Sequence, residues 1–206
     1  MKTKTLIGTI VFLGYPFLLK LIPFDLVTME LSMWLLLLMI LFWIYFVEKK
    51  TIASIGWKKP SYKTVLAGIG IGVLLFIVFG LSNAAIQAMG FVLNQDVAKT
   101  YADQPFGFLL LVALRAGVVE EVLYRGYAFE RIFTLTKSKW LAVFIPLIMF
   151  MLAHISWGMG HLLFVFIAGG LFALIYLLKR NLLLLIIAHF TVDVIALAVL
   201  PLMLQG

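Results

Sequence analysis

The sequence has no cysteine and few charged residues. Without cysteine the chain can form neither a disulfide nor a thiolate nucleophile, which excludes a cysteine protease. Charged residues make up only 12% of the 206 residues, and hydrophobic residues make up 65%. Soluble proteins carry roughly 25% charged residues, so an ordinary soluble domain is excluded as well. The composition instead indicates an integral membrane protein.

Two common hydrolase motifs are also missing. The chain contains no H-E-x-x-H, the motif with which many zinc proteases bind their metal. It contains no G-x-S-x-G either, the turn that presents the nucleophilic serine of α/β-hydrolases. If the chain is a hydrolase, an activated water molecule is therefore the nucleophile that its residues support best.

Long apolar runs predict an all-α fold, a polytopic transmembrane helix bundle with about seven spans. A helix of about 20 apolar residues crosses a bilayer. The predicted spans cover residues 5–23, 31–47, 64–89, 106–128, 140–157, 161–178 and 182–204. The first run contains Pro16 and lacks an A-x-A cleavage site, so it is expected to remain as a span. We expect one integral membrane domain over residues 1–206.

The basic residues are unevenly distributed over the loops of this seven-span scheme. Twelve of the 16 fall on the side of the amino terminus: Lys2, Lys4, Lys49, Lys50, Lys58, Lys59, Lys63, Arg131, Lys137, Lys139, Lys179 and Arg180. The opposite side carries Lys99 and four acidic residues, among them Glu30. This is the positive-inside pattern, so the net charge of +7 reports orientation. We expect a cytoplasmic amino terminus, contact with membrane lipid and no nucleic-acid partner.

Three polar segments connect the predicted spans. The lysine-rich segment 48–63 is expected to lie solvated against the lipid headgroups. Segment 130–139 is expected to extend the fourth helix into an ordinary basic loop. Segment 90–105 is the longest polar loop on the opposite side, and it is expected either to gate access or simply to connect two spans.

Three predicted spans carry polar residues at helical spacing. Seven residues are candidates: Glu120, Glu121, Arg125, Phe150, His154, His189 and Asp193. An ionisable side chain at membrane depth costs about 2.5 to 3.5 kcal/mol, so such residues are functional candidates by default. Residues four apart share a helical face, which predicts an ion pair between Glu121 and Arg125 and leaves Glu120 available. We expect the three sets to converge on one cavity.

Several chemistries are compatible with these residue types. Glutamate and histidine together can remove a proton from water, and a second histidine can donate to an oxyanion. The set Glu120, His154, His189 and Asp193 also has the ligand types of a zinc site. A proton-relay transporter is another possibility, although such proteins usually show inverted repeats. His161 is expected at the interface and outside the site, and Arg115 is expected to compensate charge.

Together the motifs E-E-x-x-x-R, F-x-x-x-H and H-x-x-x-[ND], each on its own predicted span, resemble the CPBP or Abi family of intramembrane proteases. These bacterial proteins are relatives of the type II CAAX prenyl endopeptidase. The motifs stand here as Glu120, Glu121 and Arg125, then Phe150 and His154, then His189 and Asp193. The resemblance covers residues 106–200, and it implies a catalytic core over residues 106–204.

The resemblance also implies residue roles. Glu120 would be the general base, His154 would help to activate water, and His189 with Asp193 would stabilise the oxyanion. Supporting roles would fall to Glu121, Arg125 and Phe150. No metal is required, and zinc on the four catalytic residues is the alternative. The substrate would be a peptide or protein entering from the membrane.

The resemblance places the protein in a bacterial plasma membrane. A non-catalytic scaffold or a bacteriocin self-immunity protein of the same fold is the alternative function. The oligomeric state is not predicted. In the seven-span scheme Glu120 and His154 lie at different depths, which would prevent them from activating the same water molecule. The scheme places Glu120 about 12 Å and His154 about 21 Å from the cytoplasmic ends of their spans, an offset of about 9 Å.

Overall fold

The computed structural model describes residues 2–92, 99–101 and 103–199, and these ranges contain helices and turns but no strand. Helix α1 covers Lys2–Leu19. Helix α2 covers Leu26–Phe42 and continues as a π-helix over Trp43–Val47. A short 3-10 helix, Ile52–Ile55, precedes α3, which covers Tyr62–Ala88. Part of the predicted loop 90–105 and the end of the last predicted span lie outside the described residues.

The carboxyl-terminal half begins with one long rod, here called the central helix. It consists of α4 over Phe106–Arg115, a π-helix over Ala116–Ala128 and α5 over Phe129–Thr136. Three further helices follow it. They are α6 over Lys139–Ala153, α7 over Met159–Lys179, and α8 over Leu182–Asp193, which continues as a π-helix over Val194–Val199; a 3-10 turn, Ile155–Trp157, links α6 to α7.

Four described helices are long and apolar enough to cross a membrane. They cover Leu26–Val47, Tyr62–Ala88, Met159–Lys179 and Leu182–Val199. The all-α membrane fold is therefore confirmed, whereas the predicted number of seven spans is not. Helix α6 is apolar but has only 15 residues. The central helix and α1 are also not among the four. The central helix contains charged residues within its length, and α1 has 18 residues, with two lysines in its first turn.

Short polar caps determine where the helices begin. The Asp25 carboxylate accepts a hydrogen bond from the Thr28 backbone N–H at 2.8 Å, so α2 starts five residues before the predicted span. This hydrogen bond lowers the pKa of Asp25. Ser138 caps α6 in the same way. Only two residues separate the central helix from α6, and the two helices therefore pack as an antiparallel pair.

The segment after α2 is folded onto the bundle around Ile55, which corrects the prediction for the first part of residues 48–63, whereas residues 58–63 are exposed as expected. Ile55 is completely buried, and its carbonyl accepts a hydrogen bond from the Tyr176 hydroxyl at 3.1 Å. The Gly56 carbonyl accepts one from the Leu182 backbone N–H at 2.9 Å. Gly56 has a φ of +79°, and a Cβ there would collide with the Tyr176 ring.

Segment 130–139 extends the fourth helix as expected, but the helix continues to Thr136 and Arg131 is buried rather than part of a basic loop. The side chain of Arg131 is only 1% exposed, and it contacts Glu48 at 2.7 Å. Its guanidinium also donates to both the carbonyl and the hydroxyl of Ser54 at 3.0 Å. Glu130 contacts Arg180 at 2.5 Å. Burial of these charges in pairs allows the helix to continue to Thr136.

Two ion pairs hold α2 parallel to the central helix. Glu30 contacts Arg115 at 2.7 Å, and Glu48 contacts Arg131 at 2.7 Å. At 1.5 Å per residue the two glutamates are separated by about 27 Å and the two arginines by about 24 Å, so both pairs form together. Glu30 was expected on a membrane surface, yet it is 7% exposed inside the bundle. The cap at Asp25 explains the difference, because it places Glu30 within α2.

Glycines allow α3 and α8 to approach closely. A Cβ on Gly72 would lie 2.6 Å from Thr191 Cβ and 2.7 Å from the Ala188 carbonyl oxygen. A Cβ on Gly68 would lie 2.8 Å from Ile187. Gly70, between them in sequence, has nothing within 4 Å of the same position. The G-x-G-x-G run therefore serves helix packing, as glycines commonly do in membranes.

We expect Gly72→Ala to destabilise the protein, because the added methyl group would push α8 away from α3. Overpacking of this kind costs about 1 to 3 kcal/mol. Thermal unfolding in detergent would show it as a lower Tm. Gly70→Ala is the matched control, since it adds the same atom in open space and raises helix propensity by roughly 0.5 to 1 kcal/mol. Equal effects of the two substitutions would contradict this packing.

Candidate active site

The predicted site residues of the central helix lie in its π-helical segment, where a regular α-helix was expected. A π-helix repeats hydrogen bonds from residue i to i+5 and occurs frequently at functional sites. Side chains five apart can therefore contact one another along the helix. Arg115 and Glu120 have this spacing, and the Arg115 NH1 donates to Glu120 Oε1 at 2.9 Å. The charge compensation expected of Arg115 is thus directed at Glu120 itself.

Glu121 lies at the fully buried centre of the site. Its Oε1 accepts a hydrogen bond from the Arg125 NH1 at 2.9 Å, which is the predicted ion pair. The same oxygen accepts one from the His189 Nδ1 at 2.9 Å. Arg125 also donates to the Gly169 carbonyl at 3.0 Å. Glu121 therefore ties the central helix to α8, and Arg125 ties it to α7.

The contact between Glu121 and His189 depends on a close approach of two backbones. A Cβ on Gly117 would lie 3.0 Å from the Phe190 nitrogen and 3.1 Å from the Ile186 carbonyl oxygen. Gly117 and Glu121 are one turn apart in the central helix. The small residue thus allows α8 to come near enough for the imidazole to reach the carboxylate.

His189 is held on three sides. Its ring stacks on Phe172 of α7, with centroids 4.8 Å apart and an interplanar angle of 24°. Because a carboxylate only accepts, Nδ1 carries a proton in the contact with Glu121. The other nitrogen, Nε2, lies 3.5 Å from Asp193 Oδ2. This separation exceeds the usual hydrogen-bond length, so Nε2 lies near Asp193 without being bonded to it.

Glu120 and His154 lie at the same level of the bundle. The Tyr124 and Phe150 rings meet with centroids 5.0 Å apart. Glu120 precedes Tyr124 by one turn and His154 follows Phe150 by one turn. Since the two helices are antiparallel, both side chains lie on the same side of this contact. The Glu120 carboxylate also interacts electrostatically with His154.

The predicted axial offset between these two residues resulted from a wrong helix boundary. The central helix continues to Thr136 rather than ending at residue 128, and α6 begins at Lys139. Counted from these ends at 1.5 Å per residue, Glu120 lies about 24 Å and His154 about 23 Å into its helix. The offset of about 9 Å expected from the sequence is therefore removed.

The His154 ring is oriented by its own helix and by its aromatic neighbours. Its Nδ1 donates to the Phe150 carbonyl oxygen at 2.8 Å, since a carbonyl can only accept. When the ring is neutral, the other nitrogen, Nε2, is therefore an acceptor. Phe150 and Trp157 contact the ring edge to face, with centroids 4.7 and 4.5 Å away. Phe150 thus positions His154 through both its carbonyl and its ring.

The two remaining predicted catalytic residues, His189 and Asp193, lie within electrostatic range of Glu120. The charge of Glu120 acts on both His189 and Asp193. His161 contacts Trp157 and Phe164 edge to face, and within the described ranges it forms no hydrogen bond to any of the four predicted catalytic residues.

A metal site does not fit this arrangement. Within the described ranges, which include all four predicted ligands, no group of three or more His, Cys, Asp or Glu side chains could hold a metal ion. Glu120 is paired with Arg115, and His189 is bonded to Glu121. A guanidinium beside a ligand carboxylate would also oppose a second cation. The predicted zinc alternative is therefore unsupported by the geometry.

Sequence reasoning missed two contributors to the site. Glu30 accepts from Nε and NH2 of Arg115, at 2.8 and 2.7 Å, although 85 residues separate the two. Phe172 supplies the ring against which His189 stacks. The cap signal at Asp25 could have revealed Glu30, because it moves the start of the helix and turns a surface acid into an intramembrane one. No comparable signal marks Phe172 in an apolar helix.

We expect Glu121→Gln to destabilise the protein strongly, because it leaves the Arg125 guanidinium without its counterion in the core. Breaking a buried ion pair on one side typically costs about 3 to 5 kcal/mol. Reversible unfolding in mixed micelles would measure the loss. Glu130→Gln is the matched control, since its partner Arg180 is 31% exposed and the loss should be smaller. A smaller loss for Glu121→Gln than for Glu130→Gln would contradict the assignment.

Comparison with known proteins supports the resemblance drawn from the three motifs. Comparisons with curated proteins and with solved structures gave no match. The family model described as type II CAAX prenyl endopeptidase Rce1-like matches residues 102–195. These residues contain Glu120, His154, His189 and Asp193. Over this range, a little under half of the chain, the protein is similar to the Rce1-like family of type II CAAX prenyl endopeptidases.

Proposed function

We propose that the protein is an intramembrane endopeptidase that hydrolyses a peptide bond with an activated water molecule. Similarity to a protease family over residues 102–195 supports a hydrolase, and the long apolar helices support a site within the membrane. The contact between Tyr124 and Phe150 carries the finer proposal. It supports the proposal because Glu120 and His154 each lie one turn from this contact, on the same side of it, in two adjacent helices. Their carboxylate and imidazole are the two groups that general-base activation of water requires.

In the proposed reaction Glu120 is the general base. Its Oε1 is held by Arg115, and in the described part of the chain its Oε2 takes part in no hydrogen bond. Oε2 accepts a proton from water while His154 Nε2 accepts the hydrogen bond of the second water proton. The oxygen then attacks the carbonyl carbon of the substrate. The proton passes from Glu120 to the leaving amine as the carbon–nitrogen bond breaks.

The developing oxyanion would be stabilised by His189. To donate from Nε2 the ring must carry its second proton, since Nδ1–H already donates to Glu121. An ionised Asp193 has no proton to donate, so its role in the proposal is to orient the imidazole from 3.5 Å. Preorganised donors of this kind are usually the largest single contribution to acyl-transfer catalysis.

We further propose a bacterial plasma membrane with the amino terminus in the cytoplasm. Basic segments meet at one end of the bundle. Lys4 donates to the Val47 carbonyl at 3.3 Å, and Lys58 donates to the Lys179 carbonyl at 3.0 Å. Concentration of positive charge at one end is characteristic of the cytoplasmic side. The substrate would be a peptide or protein segment that enters from the membrane.

A non-catalytic scaffold or self-immunity protein is the second candidate. The ion pairs of Glu120 with Arg115 and of His189 with Glu121 favour it, because they satisfy polar groups that a binding protein would only have to bury. The two candidates differ in one measurable property. A peptidase cleaves peptide substrates when it is reconstituted in lipid, and a scaffold only binds them.

We expect Glu120→Gln to lower kcat by about 10² to 10⁴-fold, which is the usual contribution of a general base. His154→Gln should lower kcat similarly. Cleavage of a library of quenched fluorescent peptides by the purified protein in liposomes would measure both. His161→Gln is the control, because His161 lies outside the four residues. Undiminished cleavage by Glu120→Gln would remove the assigned base, and binding of peptides by the parent protein with no cleavage would favour the scaffold.

Chelators are expected to leave cleavage unchanged, because the described acidic and histidine side chains form no group able to hold a metal. The protein would be incubated with 1,10-phenanthroline and EDTA before the liposome assay. Metal content would be measured by mass spectrometry on the same samples. Loss of cleavage that is restored by added Zn²⁺ would contradict this prediction.

A further inference from the structure

Glu30 occupies an unusual position for a residue outside the family-matched range. It lies in α2, yet its carboxylate binds Arg115 through two nitrogens, Nε at 2.8 Å and NH2 at 2.7 Å. Arg115 keeps one further nitrogen, NH1, for Glu120 Oε1. The three side chains are 10 to 13% exposed. One guanidinium is thus shared between two carboxylates from different parts of the chain.

The way in which Arg115 is shared determines how Glu120 is held. A guanidinium prefers to bind a carboxylate with two parallel hydrogen bonds. In this structure Glu30 takes that paired arrangement, and Glu120 receives a single bond to one oxygen. If Glu30 were absent, Arg115 would be able to turn its paired nitrogens toward Glu120. Both oxygens of Glu120 would then be occupied, and neither could accept a proton from water.

The net charge of Glu30, Arg115 and Glu120 leads to the same conclusion about Glu120. Two carboxylates and one guanidinium leave the group with one net negative charge, so Glu120 is not fully neutralised by Arg115. Without the charge of Glu30, the remaining pair would be neutral. A neutral pair has less tendency to take up a proton, and a base needs that tendency.

We propose that Glu30 is a positioning residue of the active site, which holds Arg115 so that one oxygen of Glu120 remains free to accept a proton. This inference rests on the proposed function, because it assigns Glu120 as the base. It extends the site to α2 and so to the amino-terminal half. Glu30 itself contacts Arg115 and is not assigned to touch the substrate.

The matched comparison is between Glu30, in α2, and Glu48, which follows the π-helical extension of α2. Glu30→Gln and Glu48→Gln each remove one charge from a buried pair with an arginine of the central helix. We expect Glu30→Gln to lower kcat by about 10²-fold with little change in KM, which is the usual effect of displacing a catalytic group by about 1 Å. Glu48→Gln should lower Tm and leave kcat of the folded protein unchanged.

A double substitution separates positioning from structural support. If Arg115 inhibits Glu120 in the Glu30→Gln variant, then removing Arg115 as well should restore part of the lost activity. The variant Glu30→Gln with Arg115→Gln should therefore be more active than Glu30→Gln alone. Glu30→Asp, which keeps the charge, should retain more activity than Glu30→Gln. A purely structural role predicts the opposite order for the double variant.

A spectroscopic measurement tests the role of Glu30 without any substrate. Infrared difference spectra, with and without Glu120→Gln, isolate the carboxylate stretching bands of Glu120. In the Glu30→Gln background we expect the separation of these bands to shift toward the value of a carboxylate bound through both oxygens. An unchanged spectrum, or a double variant no more active than Glu30→Gln, would overturn the role of Glu30. Full activity of Glu120→Gln would instead overturn the proposed function.

Discussion

Pairing of buried charges is the constraint on which this bundle depends. The central helix carries six charged residues, and each has a partner of opposite charge. The partners are Glu30 and Glu120 for Arg115, Arg125 for Glu121, Arg180 for Glu130, and Glu48 for Arg131. An unpaired ion in such surroundings would cost several kcal/mol. These pairs therefore determine which helices can surround the central helix and in what register.

The same pairs unite two halves that differ in their relation to known proteins. The family-matched range begins at residue 102, so α1, α2 and α3 lie outside it. Even so, α2 supplies Glu30, the residue after its π-helical extension is Glu48, and α3 packs closely on α8 through Gly68 and Gly72. The amino-terminal helices are thus structural neighbours of the site rather than an independent unit. A domain boundary between the halves would separate Arg115 from its strongest partner.

Sequence reasoning could predict local contacts among the candidate residues but not the contacts between helices distant in sequence. The spacing of Glu121 and Arg125 predicted their ion pair correctly, because that contact is local. The contact between Glu121 and His189 was not predicted, because it depends on the close approach at Gly117 between two helices distant in sequence. The end of the fourth span was wrong because charge was taken as a sign of solvent. Buried Arg131 shows that a paired charge can continue a helix instead.

Helix α2 and its π-helical extension together cover Leu26–Val47 and form a rod of at most about 33 Å. A typical hydrocarbon core is about 30 Å thick. A rod slightly longer than the bilayer responds to a thinner membrane by tilting. Because α2 and the residue that follows its π-helical extension are paired with the central helix at Glu30 and Glu48, the two rods would have to tilt together for both ion pairs to persist.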